Sequence, residues 1–111
     1  MDKLNILWTT NNKDTVIHMI SMYSLGAITR GWWKEINIIV WGASAKLISE
    51  DAEIQAEVRK MMDAGIHIEG CLACSEQFGV TETLKNLGID LRYMGEPLSN
   101  YLKTDEKMLT I

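Results

Sequence analysis

The chain has 111 residues, 47% of them hydrophobic and 23% charged, which is enough for one domain with an apolar core and argues against disorder. Its net charge is −4, and the eleven Lys and Arg are scattered, with no basic run longer than Arg59-Lys60. That excludes a nucleic-acid surface, which needs clustered cations. No apolar stretch is long enough to cross a bilayer, and MDKLNILWTT lacks the pattern of a secretory leader. The expected location is therefore cytoplasmic, where two cysteines stay as thiols.

From the N-terminus, LNILW (4–8) reads as a short buried strand. Asp14 is placed to cap a helix over 15–29, which Gly31 would end. INIIVW (36–41), rich in β-branched residues, reads as a second strand. Ser49 with Glu50 and Asp51 opens another helix, whose apolar face is Ile54, Val58, Met61 and Met62 and whose end is Gly65. IHIEG (66–70) and LRYMG (91–95) are two further strands, separated by a short helix over 81–87 that Gly88 ends. Glu96-Pro97 starts a last helix, with proline in the first turn where its missing N–H does no harm. KMLTI at the end reads as an edge strand.

Strand and helix in regular alternation mean βαβ crossovers. The expected fold is one α/β domain over 1–111, a three-layer α/β/α sandwich with a mainly parallel five-stranded sheet. The first helix carries Val16, Ile17, Met19, Ile20, Met22, Tyr23, Leu25, Ala27 and Ile28, more than one face's worth of apolar residues. A helix apolar nearly all round is buried nearly all round, which predicts a homo-oligomer. Trp32-Trp33, in the turn after this helix, fits the same interface, whereas Trp8 and Trp41 at strand ends fit core packing or a pocket wall.

Open parallel sheets bind ligands beyond the carboxyl ends of their strands. Here those ends lead into TTNNKD (9–14), WGASAK (41–46), CLACSEQFG (71–79) and GEPLSN (95–100), all read as loops. They supply Thr9, Thr10, Asn11, Gly42 and Ser44 as candidates for holding a small ligand or anion, and Cys71 and Cys74 as candidate reactive thiols. A Cys-x-x-Cys pair has four readings: a metal clip, a dithiol redox pair, one sulfur-carrying cysteine with a bystander, or two small buried side chains. A structural zinc wants four ligands, and His67 lies roughly 13 Å from Cys71 by strand rise. No metal and no cofactor are expected. The pair also lacks a thioredoxin setting, since the only proline is Pro97, but a reversible Cys71–Cys74 disulfide in another fold stays open. No Lys or Arg falls between Lys60 and Lys85, so a cation near the thiols has to come from elsewhere, with Arg92, Lys46 and Lys13 as candidates.

At CLACSEQFGV the sequence resembles the DsrE/TusD-like sulfur-relay superfamily of small α/β proteins. Cys71 stands eight residues before Gly79-Val80, the spacing of that superfamily's sulfur-carrying cysteine after the third strand. LKNLGIDLRYMGEPLSNYL and VWGASAKLI resemble the corresponding segments of its small homomeric members. The resemblance implies a sulfur carrier or sulfurtransferase that accepts sulfane sulfur as a persulfide on Cys71 and passes it to a partner. It also implies trimers or hexamers and donor and acceptor proteins. Only Cys71 matches the sulfur-carrying position; Cys74 falls where relay members often have alanine, and Phe78 where they often have arginine. The rival reading is a non-catalytic module that holds a small ligand at the strand ends between subunits.

Overall fold

The computed structural model describes residues 2–111. Its five strands are β1 (Lys3–Trp8), β2 (Glu35–Val40), β3 (His67–Cys71), β4 (Asp90–Arg92) and β5 (Lys107–Thr110). All pair in parallel, in the order β4-β3-β2-β1-β5, with β4 and β5 at the edges. The expected parallel α/β sandwich is therefore present.

The strand order dictates where the helices go. Crossovers between parallel strands are right-handed almost without exception. The steps from β1 to β4 all move the same way along the sheet, so their helices share one face. These are α1 (13–29, with a π-helical stretch Val16–Ser21), α2 (Ala43–Glu50), α3 (Ala52–Asp63), α4 (Leu72–Phe78) and α5 (Thr81–Leu87). The return from β4 to β5 runs the other way and puts α6 (Gly95–Lys103) on the opposite face. The core is correspondingly uneven. Ile6, Ile38 and Ile68 from the strands pack with Ile20, Ile48, Ile54, Met61 and Leu84 from the helices of the crowded face. Against α6 there is only a small cluster, Ile39, Cys71 and Met94, ringed by half-buried Leu7, Trp41, Cys74, Leu98, Tyr101 and Met108.

Several local expectations shift. Asn12, not Asp14, caps α1: its extended backbone lets Oδ1 accept from the Thr15 N–H at 2.9 Å. Asp14 lies inside the first turn, where its charge still suits the positive end of the helix. Asp51 caps α3 by accepting from the Glu53 and Ile54 N–H groups at 2.9 and 3.1 Å, and Ser49 belongs to the preceding helix. Three of the segments read as loops are largely helical: 41–46 runs into α2, 71–79 holds the end of β3 and all of α4, and 95–100 is the start of α6. The fourth strand is shorter than LRYMG, because the chain turns into α6 at Gly95. In α1, Val16, Ile20 and Ala27 are buried, while Met19 and Met22 are 40% and 61% exposed.

Gly70, one residue before the first cysteine, is needed for the sheet to seat on α5's side. A Cβ there would stand 3.0 Å from Leu91 Cδ2 and 3.3 Å from Ile89 Cγ2. Gly70→Ala is expected to destabilise by about 1–2 kcal/mol, read as a lower urea midpoint. An unchanged midpoint would mean that the flexible Leu91 side chain yields at no cost.

Candidate functional site

β3 passes into α4 with no intervening loop. Cys71 is both the last strand residue and the extended residue that precedes the helix, at φ −77° and ψ 112°. The first turn of α4 then brings Cys74 back beside Cys71, and the two free thiols share one small cluster. Cys71 is 6% exposed and Cys74 half-buried. Gly42, just past the end of β2, lies near enough for its backbone N–H to act on the Cys74 thiol. It sits at φ 69° and ψ −135°, a conformation that favours glycine. Burial raises the Cys74 pKa, the Gly42 N–H lowers it, and the neighbouring Cys71 raises it again, so the net shift is upward from 9.0.

Two residues earlier on the same face of β3 lies Glu69, a carboxylate with no solvent exposure. Its Oε2 accepts from Asn37 Nδ2 at 2.7 Å and from the Tyr101 hydroxyl at 2.8 Å. Its Oε1 accepts from Arg92 Nε at 3.1 Å and Nη2 at 2.8 Å. Burial opposes the Glu69 charge, but the donors Asn37, Tyr101 and Arg92, with the Arg92 charge, outweigh it and hold the carboxyl below its ordinary value. Burial and the neighbouring Glu69 push the Tyr101 hydroxyl up to about 12. Asn37 donates onward to Asn5 Oδ1 at 3.1 Å, and its own Oδ1 lies 2.6 Å from His67 Nδ1. Because the Asn37 amide nitrogen is spent on Asn5 and Glu69, that oxygen is the acceptor and His67 carries its proton on Nδ1. Strands β1, β2 and β3 and helix α6 are thereby tied into one polar network beneath the α6 face.

The structure sorts the sequence candidates. Gly42 joins the cysteines. Ser44 is buried, and its hydroxyl donates to the Trp8 carbonyl at 2.6 Å, 3.0 Å from the Trp41 carbonyl, while accepting from the Trp41 N–H at 3.1 Å. It joins the ends of β1 and β2. The backbone N–H groups of Thr9 and Thr10 and the Thr9 hydroxyl all hold the Ile111 carbonyl, and the Thr10 hydroxyl accepts from the Asn12 N–H. Asn11 lines a separate cleft beside α2, with Lys46 and Phe78. Of the three candidate cations, Lys13 pairs with Asp51 and Glu53, and Lys46 lines that cleft. Arg92 is the register partner of Cys71 and lies on the thiols' side of the sheet. Among the described residues, no three His, Cys, Asp or Glu side chains gather as a metal-binding group. Trp8 is core, Trp41 packs beside the cysteines, and Trp32 is 57% exposed under the Arg30 guanidinium.

Sequence reasoning passed over Glu69, Asn5, Asn37 and Tyr101. The signal available was a polar residue inside each of three otherwise apolar strands, which a buried strand tolerates only with hydrogen-bond partners.

Taken together, this is a small all-parallel α/β protein whose third strand delivers a thiol pair to the carboxyl edge of its sheet. No known protein-family profile and no curated protein matches the chain. Among solved structures, it is 57% identical to the conserved protein of unknown function BT1422 from Bacteroides thetaiotaomicron. The two superpose with a TM-score of 0.98 over 99% of this chain and 95% of that one. The chain belongs to the same family as that conserved protein. The ychN protein from E. coli superposes with a TM-score of 0.71 over the whole of both chains at 12% identity, a likeness of fold alone.

Proposed function

We propose that this protein is a sulfur carrier of the DsrE-like kind, in which Cys71 accepts sulfane sulfur as a persulfide and passes it to a partner protein. The observation that carries the reading is the Cys71–Cys74 thiol pair at the carboxyl end of β3. Its place in the chain resembles that of the sulfur-carrying cysteine of that superfamily, and the fold is shared with ychN.

In loading, the Cys71 thiolate attacks the terminal sulfur of a donor persulfide. The donor's S–S bond breaks, and the donor leaves as a thiolate. In delivery, the acceptor's nucleophile takes the terminal sulfur and Cys71 returns as thiolate. Cys74, whose pKa burial pushes up, stands beside the sulfur that gains charge. A side path is attack by Cys74 on the Cys71 sulfur, which leaves an intramolecular disulfide and releases hydrosulfide. The cytoplasmic location and the donor and acceptor proteins belong to this reading, and so does the homo-oligomer, a trimer or hexamer. Exposed Met19, Met22 and Trp32 support the oligomer, and among the described residues no helix is long and apolar enough to cross a membrane.

The burial of Cys71 favours one rival, a small-ligand module whose thiol is inert. Cyanolysis separates the two. After polysulfide treatment and desalting, the wild-type protein is expected to release about one thiocyanate per chain and Cys71→Ser none. Equal yields from both proteins would remove Cys71 as the carrier.

A further inference from the structure

Cys71 is closed off in this conformation, and the element that closes it is α6 with the residue before it. Met94, fully buried, packs on Cys71 and Ile39, and Leu98 and Tyr101 complete the cover. Yet α6 is thinly held. None of its residues is fully buried, and Leu102 is 61% exposed. Two open clefts meet at its Tyr101. One, of about 400 Å³, lies toward Lys3, Lys34 and His67; the other, of about 420 Å³, lies toward Arg92, Tyr93 and Glu96. Tyr101 lines both, so it stands as the post between them. Among the described residues, Tyr101 also makes every side-chain hydrogen bond from α6 to the sheet. It donates to Glu69 at 2.8 Å and accepts from Arg92 Nη2 at 3.1 Å. A helix with no buried residue of its own, open clefts against it and one polar fastening can move as a unit, because few buried contacts oppose it.

We propose that α6 is a lid over the thiol pair, latched by Tyr101 onto the Glu69–Arg92 pair, and that Cys71 is reached only when this latch opens. Its purpose rests on the reading of Cys71 as the working thiol, but the access it describes does not. Closure keeps water and stray electrophiles from a thiol that would otherwise oxidise or alkylate. Opening is a local event, and its frequency is set by the hydrogen bonds at Tyr101 and the Leu98 contact. Tyr101 and Arg92 are positioning residues here, since they act on α6 and not on the sulfur.

The test is the rate at which N-ethylmaleimide modifies Cys71 in the folded, full-length protein, in a Cys74→Ser background that leaves one thiol. Tyr101→Phe keeps the ring and removes only the hydroxyl; it is expected to raise the rate about tenfold. Val58→Ala, in the core on the opposite face, serves as a control that lowers global stability without touching the latch, and its rate is expected to match the background protein. Amides of α6 are expected to exchange hydrogen faster in Tyr101→Phe, with those of β2 unchanged. An unchanged rate in Tyr101→Phe would overturn the lid. So would an equal acceleration in Val58→Ala, which would mean that access comes through global unfolding. Maleimide carries no sulfur, so this result stands whether or not Cys71 loads sulfur, and failure of sulfur loading leaves the lid untouched.

Discussion

Arg92→Ala is expected to destabilise the protein by about 2–3 kcal/mol at pH 7 and by less as the pH falls below the ordinary carboxylate range. Removing one partner from a buried ion pair leaves the other charge uncompensated, typically a loss of about 3–5 kcal/mol. The Arg92 side chain is 49% exposed and Glu69 keeps Asn37 and Tyr101, so the expectation lies below that range. The pH dependence follows from the sign of the Glu69 shift. Its carboxyl titrates below its ordinary value of 4.5 in the folded protein. Such a group adds stability above the ordinary value, and that contribution is lost as pH falls through the lower folded value. In Arg92→Ala the folded value rises toward the ordinary one and the contribution shrinks. Urea midpoints of the two proteins are thus expected to differ at pH 7 and to converge as the pH falls through the lowered folded value of Glu69. A gap that stays constant over the whole acid range would show that Arg92 acts through packing alone.

Trp8→Ala is expected to be the more damaging substitution, at about 3–5 kcal/mol. Trp8 is fully buried at the end of β1. Its ring N–H donates to the Thr10 carbonyl at 3.0 Å, and its own carbonyl accepts from the Ser44 hydroxyl and the Trp41 N–H. The ring therefore fills the core where β1 and β2 end, and its N–H holds the turn that leads to α1. Against a typical stability of about 5–15 kcal/mol for a domain, this loss takes the protein close to unfolding. Trp8→Phe keeps most of the volume and loses only the ring hydrogen bond, so its loss is expected to be about 1–2 kcal/mol. Denaturant midpoints of the two variants test the assignment. Equal midpoints would mean that the hydrogen bond, not the packing, carries the effect.

The strands and their mainly parallel direction were legible because buried strands announce themselves as short β-branched runs between glycine turns, as INIIVW does, whereas their order was not read. The carboxyl-end position of Cys71 followed from the same alternation. Helices α2 and α4 were harder to read. GASAKLIS and LACSEQF are rich in Gly, Ala, Ser and Cys, small residues that suit strand-end loops as well as helices, and alanine's helix propensity was outweighed by the neighbouring Gly42 and Ser44. The polar network showed in the sequence only as single polar residues inside buried strands, and its pairing could not be read. Asn5, Asn37, Glu69, Arg92 and Tyr101 come from five elements, and what brings them together is strand register, which pairs Asn5 with Asn37 and Cys71 with Arg92. A single sequence does not encode register locally; packing of the completed sheet decides it. The oligomer expectation rested on α1, where the structure buries one face and leaves Met19 and Met22 outward.

The central claim is that Cys71 carries sulfur, and intact-protein mass spectrometry after brief polysulfide treatment tests it most directly, on wild type, Cys71→Ser and Cys74→Ser. The account predicts a gain of one sulfur atom in wild type and in Cys74→Ser, and none in Cys71→Ser. A gain that follows Cys74, or no gain in the folded wild-type protein, would contradict it.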